Sequence, residues 1–284
     1  MILVTGASGT NGRAIVSHLR SQGAPVRALV RDPGKAGSLS GLGAELAQGD
    51  FADAASLTRA CRGCDTALLL APVDQQMLHY ELAFIDAARS AGVGRIVDYS
   101  ALGANPDSGG FFTRVHGRAE EAVKASGLSW TLLRPTFFMQ NLLGAAASIK
   151  NESRYYDPYR GLPVTMVDVR DIAAVAARVL TEAGHSGKTY AITGPEALTG
   201  TQIAEAFSRV LEKPIVCSPV PREAFKQILL KAGLPEWRAQ GVVDLDEVVV
   251  GGPASFPTDT VAAIARRQPI ALERFIRDHV GVFR

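Results

Sequence analysis

The chain has 284 residues, 47% of them apolar and 20% charged, with 28 glycines and a formal net charge of +2. Such a composition excludes collagen, coiled coil and disorder, and fits one large globular domain with an appendage. The 30 Lys+Arg and 28 Asp+Glu are interspersed, so no basic footprint predicts a nucleic-acid partner and no polybasic segment predicts a membrane anchor.

Taken in chain order, apolar stretches of strand length alternate with helical patterns, the signature of βαβ units and a parallel sheet. Ile2 to Thr5 reads as a first strand, and Arg13 to Ser21 carries Ala14, Ile15 and Leu19 at helical spacing. Val26 to Val30 is a second strand ending in the turn Arg31-Asp32-Pro33-Gly34. Glu45 to Gln48 is a weak third strand, Ala54 to Cys61 a helix, Ala67 to Leu70 a strand, Met77 to Ala91 a helix and Arg95 to Tyr99 a fifth strand. Thr113 to Ser126 is a further helix, closed by Gly127, and Trp130 to Leu133 a sixth strand. Near-continuous apolar strands mean that both sheet faces are covered.

Past Arg134-Pro135 the alternation loosens. The pattern predicts an apolar helix over Phe137 to Ile149, an irregular aromatic loop holding Tyr155, Tyr156 and Tyr159, a short strand at Val164 to Val167, a helix over Val169 to Leu180 and a last strand at Thr189 to Ile192. From Thr199 onward it is mainly helical, with one strand candidate at Ile215 to Ser218. The expected architecture is an α/β, doubly wound parallel Rossmann sheet over residues 1–195, with a substrate-side segment at 135–163, and a smaller, mainly helical subdomain over 196–284 covering the substrate.

The opening Met1-Ile2-Leu3-Val4-Thr5-Gly6 has no basic leader and no long apolar stretch, and no run reaches the roughly 18 apolar residues of a spanning helix. A cytoplasmic protein is expected. The cysteines Cys61, Cys64 and Cys217 make an odd count that suits a reducing compartment. Cys61 and Cys64 form a C-x-x-C, but no second pair or nearby His completes a zinc site, so they read as ordinary half-buried thiols and no metal is expected.

Between the first strand and the first helix lies Gly6-Ala7-Ser8-Gly9-Thr10-Asn11-Gly12, a G-x-x-G-x-x-G. This context is what dinucleotide binding requires: glycine for a tight turn, glycine for close backbone approach to a pyrophosphate, glycine for helix-to-strand packing, and a helix N-terminus offering N–H groups to the anion. A carboxylate ending the second strand would accept from adenosine ribose hydroxyls, whereas a guanidinium accommodates a 2′-phosphate. Arg31 stands there with Lys35 nearby, which favours NADP(H); Asp32 beside it leaves NAD(H) open. Asp50 and Phe51 follow the third strand, where the adenine edge would lie, Ala71 and Pro72 follow the fourth, and Ser100 follows the fifth.

Met1 to Arg31 with its glycine loop, Gly49-Asp50-Phe51, Tyr99-Ser100-Ala101-Leu102-Gly103-Ala104, Leu132-Leu133-Arg134-Pro135, Asp168-Val169-Arg170-Asp171-Ile172-Ala173 and Tyr190-Ala191-Ile192-Thr193-Gly194-Pro195 together resemble the NmrA-like branch of atypical short-chain dehydrogenases. Lys231-Ala232-Gly233-Leu234-Pro235-Glu236 resembles a segment of the substrate-covering cap. Within the branch the chain is most similar to bacterial NAD(P)H:quinone, azo-dye and triphenylmethane-dye reductases. The resemblance implies a hydride-transferring enzyme with a small aromatic electron acceptor. It equally implies an alternative, a dinucleotide sensor that turns nothing over; an open pocket beside the nicotinamide would favour the enzyme and a plugged one the sensor.

The larger dehydrogenase family uses a Tyr-x-x-x-Lys pair on the helix after the fifth strand. Here His116 and Glu120 occupy that spacing. Without a phenolic donor, an isolated ketone is a poor acceptor, because general acid help contributes on the order of 10² to 10⁴-fold. A quinone, a conjugated azo bond or a triarylmethyl cation spreads or neutralises the arriving charge, so positioning can supply most of the rate. His116 is the one candidate proton donor. Phe137, Phe138 and Met139 leave the sixth strand near the expected nicotinamide, and with Tyr155 and Tyr156 they are expected to line a site for flat conjugated ligands.

Overall fold

A computed structural model describes residues 1–284. β1 (Ile2–Val4) enters α1 (Thr10–Ser21) through the glycine turn. β2 (Val26–Val30), α2 (Gly37–Ser40), β3 (Glu45–Gln48), α3 (Ala54–Cys61), β4 (Thr66–Leu69), α4 (Met77–Ser90), β5 (Arg95–Tyr99), α5 (Phe111–Ala125) and β6 (Ser129–Pro135) follow. Beyond them run β7 (Phe137–Phe138), a 3-10 segment (Met139–Ala145), α6 (Ala146–Glu152), β8 (Arg154–Asp157), β9 (Val164–Val167), α7 (Val169–Thr181), β10 (Lys188–Ile192) and β11 (Ala197–Leu198). The chain closes with α8 (Gly200–Leu211), β12 (Val216–Pro219), α9 (Arg222–Lys231), α10 (Glu236–Asp244), α11 (Thr260–Ala265), α12 (Leu272–Asp278) and α13 (Val280–Phe283).

Seven parallel strands make the main sheet in the order β10-β6-β5-β4-β1-β2-β3. Val4 lies opposite both Ala28 of β2 and Leu68 of β4, so β1 is an interior strand and the winding reverses between it and β4. Ligands of open α/β sheets sit beyond the strands' carboxyl ends at such a reversal. Thr5, the residue after β1, pins that end: its hydroxyl donates to the Leu68 and Leu70 carbonyls and accepts the Leu70 N–H at 2.7 Å.

Helices cover both faces because alternate strand residues point to opposite sides. On one side Val4, Val97 and Leu133 pack with Ile15, Val16 and Leu19 of α1 and with the apolar stripe of α7. On the other, Leu3, Leu69, Ile96 and Leu132 pack with Leu57, Phe84, Ile85 and Val123. Each fully buried Leu, Ile or Phe contributes roughly 1.5–3 kcal/mol of transfer free energy, so these layers dominate the stability. A third core, including Ile203, Phe207, Phe275 and Phe283, holds the C-terminal lobe.

Helix starts follow local chemistry. Asp53 accepts the Ala55 and Ser56 N–H groups at the head of α3, and Thr199 with Gln202 forms a reciprocal capping box on α8.

Two expectations fail in the region after β6. The helix read over Phe137 to Ile149 is instead β7, a 3-10 segment and the short α6. Phe137 and Phe138 pair with Met166 and Val167, and this long-range ladder overrides the helical periodicity. Tyr155 and Tyr156 of the expected aromatic loop likewise lie in a strand, Arg154 to Asp157 pairing in parallel with Val216 to Pro219, while Tyr159 lies in the turn that follows.

Candidate active site

The first turn is shaped by glycine where side chains cannot fit. Gly6 has φ +60, and a Cβ there would lie 2.7 Å from the Leu70 carbonyl oxygen. A Cβ on Gly12 would lie 2.2 Å from the Gly6 carbonyl oxygen, a contact that no real Cβ makes. Gly9 is the N-cap of α1 and supplies no side chain to it. The leading N–H groups of α1 therefore face out of the crevice without a capping oxygen, and the positive end of the helix dipole stands behind them. Asn11 lines the adjoining cavity, and its Oδ1 is sealed from solvent with no protein partner.

At the end of β2 the two candidate ribose-side groups are already sorted. Asp32 caps the following 3-10 turn by accepting the Gly34 N–H at 3.0 Å, and its other oxygen faces the Lys35 ammonium at 3.5 Å. The Arg31 side chain is exposed and its guanidinium donates to no protein group, while its carbonyl accepts from Gln48. Lys35 is thus held on Asp32, and Arg31 is the free cation of the pair. Asp50 is exposed, with Oδ1 accepting the Ala52 N–H of its own turn. Phe51 is buried against Tyr80 and Phe84, each ring centroid 6.0 Å away, so its side chain packs the core.

Beside the glycine turn, below the ends of β4, β5 and β6, opens an apolar cavity of about 270 Å³. Ala71, Ser100, Phe137 and Phe138 line it, as the chain pattern anticipates, and His116 looks into it from α5. Pro72 is exposed beside it and is not part of the wall. The far side comes from the C-terminal lobe, through Arg238, Val242, Leu245 and Val248.

Three residues expected in this wall are elsewhere. Met139 turns away into the C-terminal core. Tyr155 is buried in that same core, stacked 6.5 Å from Phe207. Tyr156, its neighbour on the opposite strand face, is exposed and donates its hydroxyl to Glu152 at 2.7 Å. The pairing of β8 with β12 accounts for both tyrosines, because strand alternation sends one ring into the lobe and the other to solvent.

A buried polar cluster underlies the cavity. Ser100 donates its hydroxyl to Glu120 at 2.6 Å, and Arg134 of β6 forks onto the same carboxylate, Nε to Oε1 at 2.7 Å. Lys124 adds a contact at 3.7 Å. Glu120 is thus a paired structural carboxylate, and the His116–Glu120 pairing that their spacing suggests is not formed. His116 instead places Nδ1 4.0 Å from Oε1 of Glu81. Glu81 on α4 is 1% exposed and Asp98 on β5 fully buried; both Asp98 oxygens and Oε2 of Glu81 lack any partner. Burial and the neighbouring Asp98 push the Glu81 carboxyl well up, while burial and Glu120 push Asp98 up against the opposing pull of Arg134. Burial pulls His116 down to about 4, partly countered by Glu120. Each of these shifts favours the uncharged form of its group.

Glu81 and Asp98 do not figure among the residues singled out by motif. The available signal is compositional: an acid in the apolar strand Ile96-Val97-Asp98-Tyr99, and one at helical spacing with Met77, Phe84, Ile85 and Ala88.

Residues 1–251 match the NmrA-like family. The chain belongs to that family. Among its NmrA-like relatives, the NAD(P)H azoreductase of Xenophilus azovorans is 35% identical over 283 residues, covering 100% of this chain and 99% of the relative. An NADPH-dependent quinone oxidoreductase from Escherichia coli, complexed with NADPH, superposes with a TM-score of 0.90 at 29% identity, over 99% of this chain and 100% of that one. A Citrobacter triphenylmethane reductase complexed with NADP(H) gives a TM-score of 0.88 at 28% identity, over 98% and 99% of the two chains. No helix is long and apolar enough to cross a membrane.

Proposed function

We propose that this NmrA-like protein is an NADPH-dependent reductase that transfers hydride to a conjugated electrophile of the quinone, azo-dye or triarylmethane-dye type. The observation that carries this reading is the open apolar cavity directly beside the glycine turn, lined by Phe137 and Phe138. Flat, largely apolar ligands are bound in such concave sites by area and shape, with few polar groups to orient them. The named activities of the relatives point the same way.

The residues fit the dinucleotide. Gly6, Ala7, Ser8, Gly9, Thr10, Asn11 and Gly12 would hold the diphosphate against the uncapped end of α1, where a Cβ at Gly12 would already collide with Gly6. Arg31 would take the adenosine 2′-phosphate, a role its unengaged guanidinium suits and the locally bonded Asp32 does not. Asp50 and Ala71 would flank the adenine and nicotinamide sides, and Ser100, held by Glu120, would orient the ring end. Once bound, the nicotinamide supplies the hydride. The chain's own contribution is to stack and desolvate the acceptor between Phe137, Phe138 and the C-terminal wall, which suits acceptors that delocalise charge and need little acid help.

Adding NADPH with a benzoquinone, an azo dye or a cationic triarylmethane dye tests the reading through coenzyme oxidation. Turnover above the enzyme-free blank is expected. Demonstrated NADPH binding with no turnover across the panel would transfer the protein to the sensor class, a reading against which the open cavity counts.

A further inference from the structure

The reductase reading leaves a group of buried acids unused. Glu81, Asp98 and His116 come from three elements, α4, β5 and α5; His116 lines the cavity and the buried Glu81 lies 4.0 Å from its Nδ1. Burying a carboxyl without hydrogen-bond partners is costly, and here two are buried with orphaned oxygens. Glu120, on the same side of the sheet, is by contrast neutralised by Arg134 and Lys124 and bonded to Ser100. His116 links the acids to the cavity: Nδ1 is sealed on the Glu81 side, whereas Nε2 makes no hydrogen bond to the protein and the ring lines the cavity.

Resting on the reductase reading, we propose that Glu81 is a stored proton for acceptors that require one, passed on through the His116 ring, with Asp98 the positioning residue whose charge, once it ionises at alkaline pH, opposes loss of that proton. Acceptors divide sharply by this need. A quinone that takes up hydride becomes a hydroquinone monoanion and must gain a proton to form its second O–H bond. An azo bond likewise needs one proton with the hydride to become a hydrazine. A triarylmethyl cation needs none, because hydride neutralises it and the new C–H bond completes the product.

In the transfer, the acceptor anion takes the proton on Nε2 of His116; as that N–H bond breaks, Nδ1 takes the Glu81 carboxyl proton and Glu81 becomes a carboxylate. The neutral ring changes tautomer and never carries a full charge, in keeping with its depressed basicity. The gap of 4.0 Å between Nδ1 and Oε1 exceeds a hydrogen bond; catalytic contacts of this kind commonly tighten only when substrate is bound. After product leaves, water entering the cavity reprotonates Nε2, and Nδ1 returns its proton to Glu81. The solvent proton balances each cycle. The charged groups acting on Asp98 are Glu120 of α5 and Arg134 of β6, and neither bonds to Glu81 or Asp98.

The test compares Glu81→Gln with the unmodified protein on a benzoquinone and on a cationic triarylmethane dye. Quinone kcat is expected to fall by about 10²-fold, within the usual span of acid catalysis, and dye turnover to fall at least tenfold less. Equal losses on both acceptors would overturn the relay while leaving the reductase reading intact, whereas no turnover of any acceptor would overturn the reductase reading itself. Asp98→Asn should move the alkaline limb of quinone turnover to lower pH with little change in KM; an unmoved limb would remove Asp98 from the scheme. Independently of activity and of whether any variant folds, infrared spectroscopy of the unmodified protein at pH 7 should show the carbonyl band of protonated carboxyl groups. Its absence would mean that the acids are ionised, and would overturn the proposal.

Discussion

The glycine crevice and the acceptor cavity adjoin, yet they are built on opposite principles. The crevice is made by backbone: Gly6 and Gly12 are defined by what a Cβ would strike, and the anion site consists of N–H groups that any helix start possesses. The cavity is made by side chains drawn from segments as distant as Ala71, His116, Phe138 and Val248, and its electrostatics come from acids with no local partner. A backbone site tolerates change around it but none at its glycines. A side-chain site accepts change at almost any single wall position and is specific only through the sum.

The contrast is broken most directly at Gly12. Gly12→Val should abolish NADPH binding by titration, with folding impaired, because the new side chain collides with the Gly6 carbonyl; retained affinity would remove the backbone argument. Next in size is Arg134→Met, which leaves the buried Glu120 carboxylate with only the longer Lys124 ion pair and should cost up to about 3–5 kcal/mol in denaturant unfolding.

Stability against pH sharpens the electrostatic half. Glu81 is raised from 4.5 to about 9 and Asp98 from 3.8 to about 8. For a raised folded-state value the stabilisation is full below the unfolded value and is lost as pH rises toward the folded one. His116, lowered to about 4 from 6.5, acts oppositely, since its contribution is present above 6.5 and lost as pH falls through 4. Between about pH 6.5 and 8 the His116 contribution is constant, so the two raised acids should make stability fall as pH rises. In thermal unfolding, Glu81→Gln should make that decline shallower; an unchanged slope would mean that Glu81 is already ionised. Arg31→Ala should narrow the preference for NADPH over NADH by about tenfold, near 1.4 kcal/mol, and equal affinities in the unmodified protein would remove Arg31 from the 2′-phosphate. Smallest of all, Tyr156→Phe should leave acceptor KM within about twofold, because the ring is exposed and bonds only Glu152.

What could be read from sequence follows the same division. The β1 turn, the alternating strands and Arg31 are legible because steric requirements and burial periodicity act within a few residues. The strand at Tyr155 and Tyr156 was hidden because its partner, Val216 to Pro219, lies about sixty residues on, and β7 because it depends on Met166 and Val167. Asp98 is visible as an acid in an apolar strand, but its relation to Glu81 and His116 exists only once β5, α4 and α5 are stacked.

Between the elements of the C-terminal lobe, a segment returns to the nucleotide half. Thr258 bonds the Ala191 carbonyl and the Thr193 hydroxyl beside β10, and Val261 and Ala265 of α11 enter the same apolar layer as Ile15 and the α7 stripe. During ribosomal synthesis, that flank of α7 waits uncovered until α11 emerges, so the coenzyme half cannot be fully packed before residues 260–265 are made. Chaperone dependence and sensitivity to premature stop codons should therefore concentrate at this late-arriving helix, far from any catalytic atom.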